Sequence, residues 1–248
     1  MRATVANVSG NIHRARLASA RAIADGVVEY DFALTDEDRD LRWRPGQFVS
    51  VTCGLNEAGE PLLRSYSIAS RPGDGRLRLL LKLVDGGAAS AWFKRLEPGA
   101  EIRFTGPMGF FVLELSHPGD VVFAATGTGI APIVPMIAET LERGERGRVV
   151  LHWGLRHERD LFWRDELAAL EARAGGRLEA TIALSQPEPA WTGARGRITA
   201  RVLDALGGLE RPTFYLCGNG AMIREVKAGL VERGVDRKRQ IRTEAFFD

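Results

Sequence analysis

Arg64-Ser65-Tyr66-Ser67 follows a run that alternates as a β-strand does, and its residue types suit a ligand charged at one end and flat at the other. Alternation puts Arg64 and Tyr66 on one side of the strand, Ser65 and Ser67 on the other. A guanidinium fork matches phosphate oxygens, and charge-assisted bonds of that kind contribute about 1.5–3 kcal/mol each. A phenol lying on a planar ring system adds about 0.5–1.5 kcal/mol beyond area burial. Three glycine turns offer more of the same chemistry. Asp85-Gly86-Gly87-Ala88-Ala89-Ser90 leads into a short helix for which Ser90 is the expected N-cap. Gly127-Thr128-Gly129-Ile130-Ala131-Pro132 joins a strand to a helix, with Pro132 where the third glycine of a dinucleotide fingerprint would stand. Proline is tolerated in a first helical turn, and the free amides there face a phosphate well. Tyr215-Leu216-Cys217-Gly218-Asn219-Gly220 is again strand, glycine turn and helix. Cys217 ends its strand, so its thiol either opens into a crevice or packs as a small apolar residue.

These groups meet only if the chain brings them together. Residues 13–22 and 27–34 read as strands joined by a hairpin at Asp25-Gly26, followed by an acidic loop at 36–40 and a turn at Trp43-Arg44-Pro45-Gly46. Further strands are expected over 47–53, 62–69, 76–84 and 100–105, with a short helix over 90–96. Short strands at this spacing with Gly and Pro between them form an antiparallel barrel or sandwich. After His117-Pro118-Gly119-Asp120 the pattern changes. Val121-Val122-Phe123-Ala124-Ala125 is continuously apolar, as a strand buried on both faces must be. Helices are expected over 132–143, 163–173, 199–206 and 220–233, with strands over 148–154, 177–184 and 213–217. That alternation means an open parallel α/β sheet, whose ligands bind at the carboxyl ends of the strands. The expected organisation is thus two domains, an antiparallel β-barrel over 1–117 and an α/β domain over 118–248.

The 248 residues carry 34 Lys and Arg against 32 Asp and Glu. Neither half is basic enough for a nucleic-acid partner. Two cysteines, Cys53 and Cys217, cannot build a disulfide or zinc framework, which fits a reducing compartment and a cytoplasmic location. No apolar run reaches the roughly 18 residues that span a bilayer. The first 24 residues hold four arginines and no acid but no secretory apolar region, and most of them read as the first strand. The four histidines show no ligand spacing, and no metal site is expected.

Taken in order, Arg64-Ser65-Tyr66-Ser67, Gly87-Ala88-Ala89-Ser90, Gly106-Pro107-Met108-Gly109-Phe110, Gly127-Thr128-Gly129-Ile130-Ala131-Pro132 and Cys217-Gly218-Asn219-Gly220-Ala221-Met222 resemble the ferredoxin–NADP⁺ reductase family from about residue 13 to the C-terminus. The resemblance implies a flavin-binding Greek-key barrel followed by a nicotinamide-binding α/β domain. It implies FAD rather than FMN, hydride transfer between NAD(P)H and the flavin, and single electrons exchanged with a ferredoxin or flavodoxin-type carrier. It assigns Arg64 and Ser65 to the flavin pyrophosphate side, Tyr66 to the isoalloxazine face and Ser67 to the place where hydride arrives. Gly87 and Ser90 take flavin phosphates. Gly127, Thr128, Gly129, Pro132, Arg156, Gly218 and Met222 serve the nicotinamide dinucleotide, with Cys217 near its ring. Glu244-Ala245-Phe246 resembles the family's ending, so Glu244 joins Ser67 and Cys217 as a catalytic candidate, while Phe246 and Phe247 are candidates to shield the flavin.

Where the family has Ser-Arg at the third strand of the second domain, this chain has Ser185-Gln186. A 2′-phosphate needs cations, usually Arg, and Arg195, Arg197 or Arg224 would have to supply them. NADP(H) and NAD(H) therefore both stay open, with a slight lean to NADP(H). Lys238, Arg239 and Arg242 either steer an acidic carrier or form a solvated basic face. Other readings are the NADH-dependent reductase component of an oxygenase system, a free flavin reductase, and a non-catalytic electron-transfer subunit. Two cysteines are too few for an iron–sulfur centre.

Overall fold

The computed structural model of the chain describes residues 11–116, 118–144 and 146–247, without the Phe247 side chain. His117, at the expected domain junction, lies outside them, as do residues 1–10. The first half is built from β1 (Ile12–Ala24), β2 (Val27–Leu34), β3 (Phe48–Leu55), β4 (Pro61–Ser67), β5 (Arg76–Lys82), α1 (Ala88–Lys94) and β6 (Glu101–Met108). Its six strands are antiparallel, in the order β4-β3-β6-β1-β2-β5. β1 and β2 turn at Gly26, whose φ of +61° suits a residue without Cβ. Alternate residues of these strands, among them Leu17, Phe32, Val49, Val51, Leu77, Leu79, Ile102 and Phe104, fill the interior.

The two outer strands of this sheet approach each other at one end. Ile68 bridges Leu79, and Ala69 N–H donates to the Arg78 carbonyl at 2.8 Å. Among the described residues no ladder joins β4 to β5 beyond that bridge. The sheet is therefore a barrel with a slot in its wall, flanked by Arg64–Ser67 on one side and Leu80–Lys82 on the other.

The second half contains β7 (Val121–Thr126), α2 (Ile130–Glu142), β8 (Val149–Leu155), α3 (Arg164–Arg173), β9 (Leu178–Leu184), β10 (Ala194–Arg195), α4 (Ile198–Ala205), β11 (Thr213–Asn219), α5 (Gly220–Glu232) and β12 (Ile241–Phe247). All six strands run parallel, in the order β10-β9-β8-β7-β11-β12. β7 lies inside the sheet with five of its six residues buried, which explains its unbroken apolar sequence. β10 and β12 were not anticipated from the sequence. The core between this sheet and α2 and α3 also takes in Val27, Ala69, Leu80, Phe111 and Leu113 from the first half, so the two halves share apolar packing. The connector sits tightly there: a Cβ on Gly46, at φ +100°, would lie 1.8 Å from the Phe111 carbonyl oxygen.

One local expectation needs correcting. Ser90 is not the N-cap of α1. Gly87 holds that position, and Ser90, inside the first turn, accepts from Val84 N–H through Oγ at 2.9 Å. The acidic loop over 36–40 is exposed except at Asp38. Asp38 turns inward to accept from Arg14 N–H at 2.7 Å and to meet His13 Nδ1 at 2.5 Å.

Candidate active site

The slot between β4 and β5 opens into a cavity of about 480 Å³. Arg64, Ser65, Tyr66 and Ser67 form one wall, Leu80, Leu81, Lys82 and Val84 the opposite one, and Gly87–Ser90 the end. From the second half come Thr128, Ala131, Glu244, Ala245 and Phe246. Tyr66 meets Phe93 edge-on at 5.2 Å; this fixes the phenol while the ring still borders the cavity. Burial pushes the Tyr66 phenol well above its ordinary range, helped by the neighbouring Cys53, whose own thiol burial raises to about 11. Both groups are neutral at physiological pH.

A second cavity, of about 780 Å³, lies over the carboxyl ends of β7, β8 and β11. It is lined by Thr126, Gly127 and Thr128, by Arg156 and His157 after β8, by Ser185 after β9, by Arg197–Thr199 at the start of α4, and by Gly218, Asn219 and Met222. Gly127 has φ +54° with open space where its Cβ would be, so the turn presents bare backbone to the cavity. Asn219 caps α5 by accepting from Met222 N–H at 3.1 Å. Lys82, Thr128 and Phe246 line both cavities; the two are one crevice.

At their junction Ser67 Oγ donates to Glu244 Oε1 at 2.8 Å, joining β4 to β12. Burial raises the Glu244 carboxyl above its ordinary value, and the Ser67 bond opposes that rise. β12 runs beside β11 with Glu244 level with Cys217.

Several candidates lie elsewhere than the sequence suggested. The Cys217 thiol is fully buried and lines neither cavity; it packs in the core shared with Phe111 and Ala131, and burial pushes it well above the usual thiol range, with Glu244 adding to the effect. Gly129 and Pro132 are also buried, Gly129 because β11 passes so close that a Cβ would stand 2.6 Å from the Cys217 carbonyl oxygen. Arg195 is turned away from the cavity: its Nη2 donates to the carbonyls of Glu188, Pro189 and Trp191 at 3.1, 2.9 and 2.6 Å. Arg242 pairs with Glu114 and also donates to the Lys238 carbonyl, which removes it from the basic face at the tail.

The sequence matches the family described as the oxidoreductase FAD-binding domain over residues 14–113 and the oxidoreductase NAD-binding domain over residues 123–228. It is 38% identical to the ferredoxin–NADP reductase B of Sorangium cellulosum over 234 residues, 90% of this chain and 93% of that one. The chain belongs to the ferredoxin–NADP⁺ reductase family. This family member is similar also to the xylene/toluene monooxygenase electron transfer component of Pseudomonas putida, 34% identical over 229 residues. That match covers 90% of this chain but 63% of the relative. Its backbone follows that of the Amycolatopsis cytochrome P450 reductase with a TM-score of 0.83 and 26% identity, across 100% of this chain and 74% of the other. This reductase is therefore an FAD-dependent oxidoreductase with an FAD-binding and a nicotinamide-nucleotide-binding domain.

The donor set fits both groups. The slot offers a phenol face with a guanidinium one pleat away, and the second cavity offers a bare glycine turn with the guanidiniums of Arg156 and Arg197, besides that of Arg159, which pairs with Asp25 at 3.4 Å. Glu244 and Phe246 fall outside both matched ranges yet line the crevice. The sequence reading missed Phe48, Leu80 and Lys82. Lys82 carried a signal, a lone cation inside Leu79-Leu80-Leu81-Lys82-Leu83-Val84. Phe48 and Leu80 carried none, because an apolar strand residue looks the same whether it faces the core or a slot. Among the described residues no helix is long and apolar enough to cross a membrane.

Proposed function

We propose that this reductase passes hydride from NADPH to FAD across the shared crevice and delivers single electrons to a ferredoxin or flavodoxin-type carrier. Residues 1–117 hold the flavin and 118–248 the nucleotide. The observation that carries the proposal is the continuity of the two cavities over Lys82, Thr128 and Phe246, with Ser67 and Glu244 joined at the junction. Bound FAD supplies the redox chemistry, accepting two electrons together and releasing them singly.

The chain's own residues supply position and charge. Arg64 grips the flavin pyrophosphate, with Ser65 beside it and Gly87 and Ser90 closing the phosphate end. Tyr66 lies on the ring face, held by Phe93. Ser67 and Glu244 would present a hydrogen-bonded hydroxyl and carboxyl at the place where hydride crosses, with burial raising the Glu244 carboxyl above its ordinary value. Phe246, which lines both cavities, would shield the flavin. Gly127, Thr128 and Gly218 receive the nucleotide pyrophosphate and ribose, and Cys217 backs the site from within the core.

The preference for NADPH rests on Arg156 and Arg197. Both line the second cavity, both are exposed, and neither guanidinium has a hydrogen bond or ion pair among the described residues. Two unpaired guanidiniums near Ser185 suit a 2′-phosphate, and they stand in for the Arg missing after Ser185. The test is steady-state turnover of the FAD-loaded chain with a ferredoxin, using NADPH and NADH in turn. The expected result is a higher kcat/KM for NADPH, with Arg197→Ala erasing about 1.5–3 kcal/mol of that preference. Equal or better turnover with NADH contradicts the nucleotide assignment.

A second reading is favoured by relatives named as oxygenase reductase components, such as those of xylene/toluene monooxygenase and naphthalene 1,2-dioxygenase. In that case the carrier is the oxygenase system's own redox partner. Faster reduction of such a partner than of a free-standing ferredoxin would select it.

A further inference from the structure

A cluster centred on a buried carboxylate, away from the proposed hydride site, ties the two halves together. Glu29 on β2 is only 8% exposed. It accepts from Trp163 Nε1 of the second half at 2.8 Å, from Arg78 at 3.3 Å and from Arg21 at 3.0 Å. Arg78 on β5 reaches across in turn, donating to Glu166 of α3 at 2.9 and 3.3 Å, and its guanidinium lies 5.0 Å from the Trp163 ring centroid. Trp163 holds φ +50°, in the left-handed region, at the N-cap of α3. A bulky residue keeps such a conformation only where its surroundings over-determine it, and such positions cluster at functional sites.

From Trp163 the packing leads back to the crevice. Its ring meets Phe162 edge-on at 5.6 Å, Phe162 meets Trp153 at 4.8 Å, and Trp153 Nε1 donates to the Gly127 carbonyl at 3.0 Å. Phe162 and Gly127 line the nucleotide cavity. One set of contacts therefore runs from a carboxylate in the barrel wall to the glycine turn proposed to hold the nucleotide.

We propose that Glu29, Arg78 and Trp163 form a latch that sets the tilt of the nucleotide half on the barrel, and so the approach of nicotinamide to flavin. They are positioning residues, acting through Phe162 and the Gly127 turn without touching either cofactor. The proposal rests on the reading that hydride crosses between the two halves. A misplacement of about 1 Å far from the chemistry can cost up to about 100-fold in rate.

The test uses Trp163→Phe, which keeps the aromatic wall and deletes the N–H donor, and Arg78→Lys, which keeps the charge and loses the fork. In the FAD-loaded protein, stopped-flow reduction by NADPH should show the limiting rate falling about tenfold, within the range such misplacement produces. FAD and NADP⁺ affinities should stay near those of the unaltered protein. Hydrogen exchange, read without turnover, should quicken at the Gly127 turn and the first turn of α3. Should Trp163→Phe fail to fold, Arg78→Lys carries the same measurements. Unchanged limiting rates, or a loss of FAD affinity in step with the rate, overturn the latch. Flavin reduction in the unaltered protein tests the underlying reading separately: if NADPH reduces it and the variants match it, only the latch fails.

Discussion

Glu244 is the residue whose protonation matters most to this site. Its carboxyl is raised by burial, with the Ser67 hydroxyl opposing. In the unfolded chain it ionises near its ordinary value of 4.5; in the fold it holds its proton to higher pH. As pH rises past that value the unfolded state therefore loses the proton first, and the native state loses stability. Glu244→Gln should thus raise the melting temperature at neutral pH, with the gain shrinking toward pH 4.5, while flavin reduction slows. Thermal denaturation across pH checks the first part, and a destabilised variant at neutral pH contradicts it. Arg64-Ser65-Tyr66-Ser67 became legible only beside the other four motifs in order, because a guanidinium and a phenol at a pleat's spacing equally suit an ordinary barrel strand. Cys217 was not: whether a strand-end thiol faces a crevice depends on what packs beside it, and here that is β12. Arg195 was misread for a similar reason, since only the folded loop shows three carbonyls waiting for its guanidinium.

The element that the sequence concealed is β12. Ile241-Arg242-Thr243-Glu244-Ala245-Phe246-Phe247 alternates, but with charged residues as its middle members, as an edge strand beside β11 tolerates. Its partners are fixed by a close crossing between the turn after β7 and the end of β11. A Cβ on Gly129 would lie 2.6 Å from the Cys217 carbonyl oxygen and 2.7 Å from Gly218 Cα, both backbone atoms that cannot step aside. Gly129→Ala should therefore destabilise the chain by about 1–3 kcal/mol, the usual cost of overpacking, and weaken nucleotide binding at the same time. Chemical denaturation together with an NADP⁺ titration tests this; a variant of unchanged stability would show that the crossing has slack. The barrel and sheet strands themselves were read to within a few residues, because period-two alternation and continuous apolar runs are local signals. The slot between β4 and β5 was not, because it arises from two strands failing to pair.

At the scale of the whole molecule, the halves share one apolar core and one crevice, and each contributes to the other's stability. A buried imidazole on β8 shows how pH acts on the assembly. Among the described residues neither ring nitrogen of His152 has a hydrogen-bond partner, and burial holds its pKa below the ordinary 6.5. The unfolded chain binds a proton there as pH falls through that value while the fold resists, so stability is lost on the acid side. His152→Leu should flatten that acid limb, as followed by melting temperature between about pH 5 and 7; an unaltered limb would assign the acid sensitivity elsewhere.

The most direct measurement of the central claim loads the purified chain and its Arg64→Ala variant with FAD and then adds NADPH without oxygen. The account predicts that the unaltered chain retains FAD and that NADPH bleaches its visible absorbance. It predicts that Arg64→Ala binds FAD about 10- to 100-fold more weakly. A chain that stays colourless in excess FAD, or a bound flavin that neither NADPH nor NADH bleaches, contradicts it.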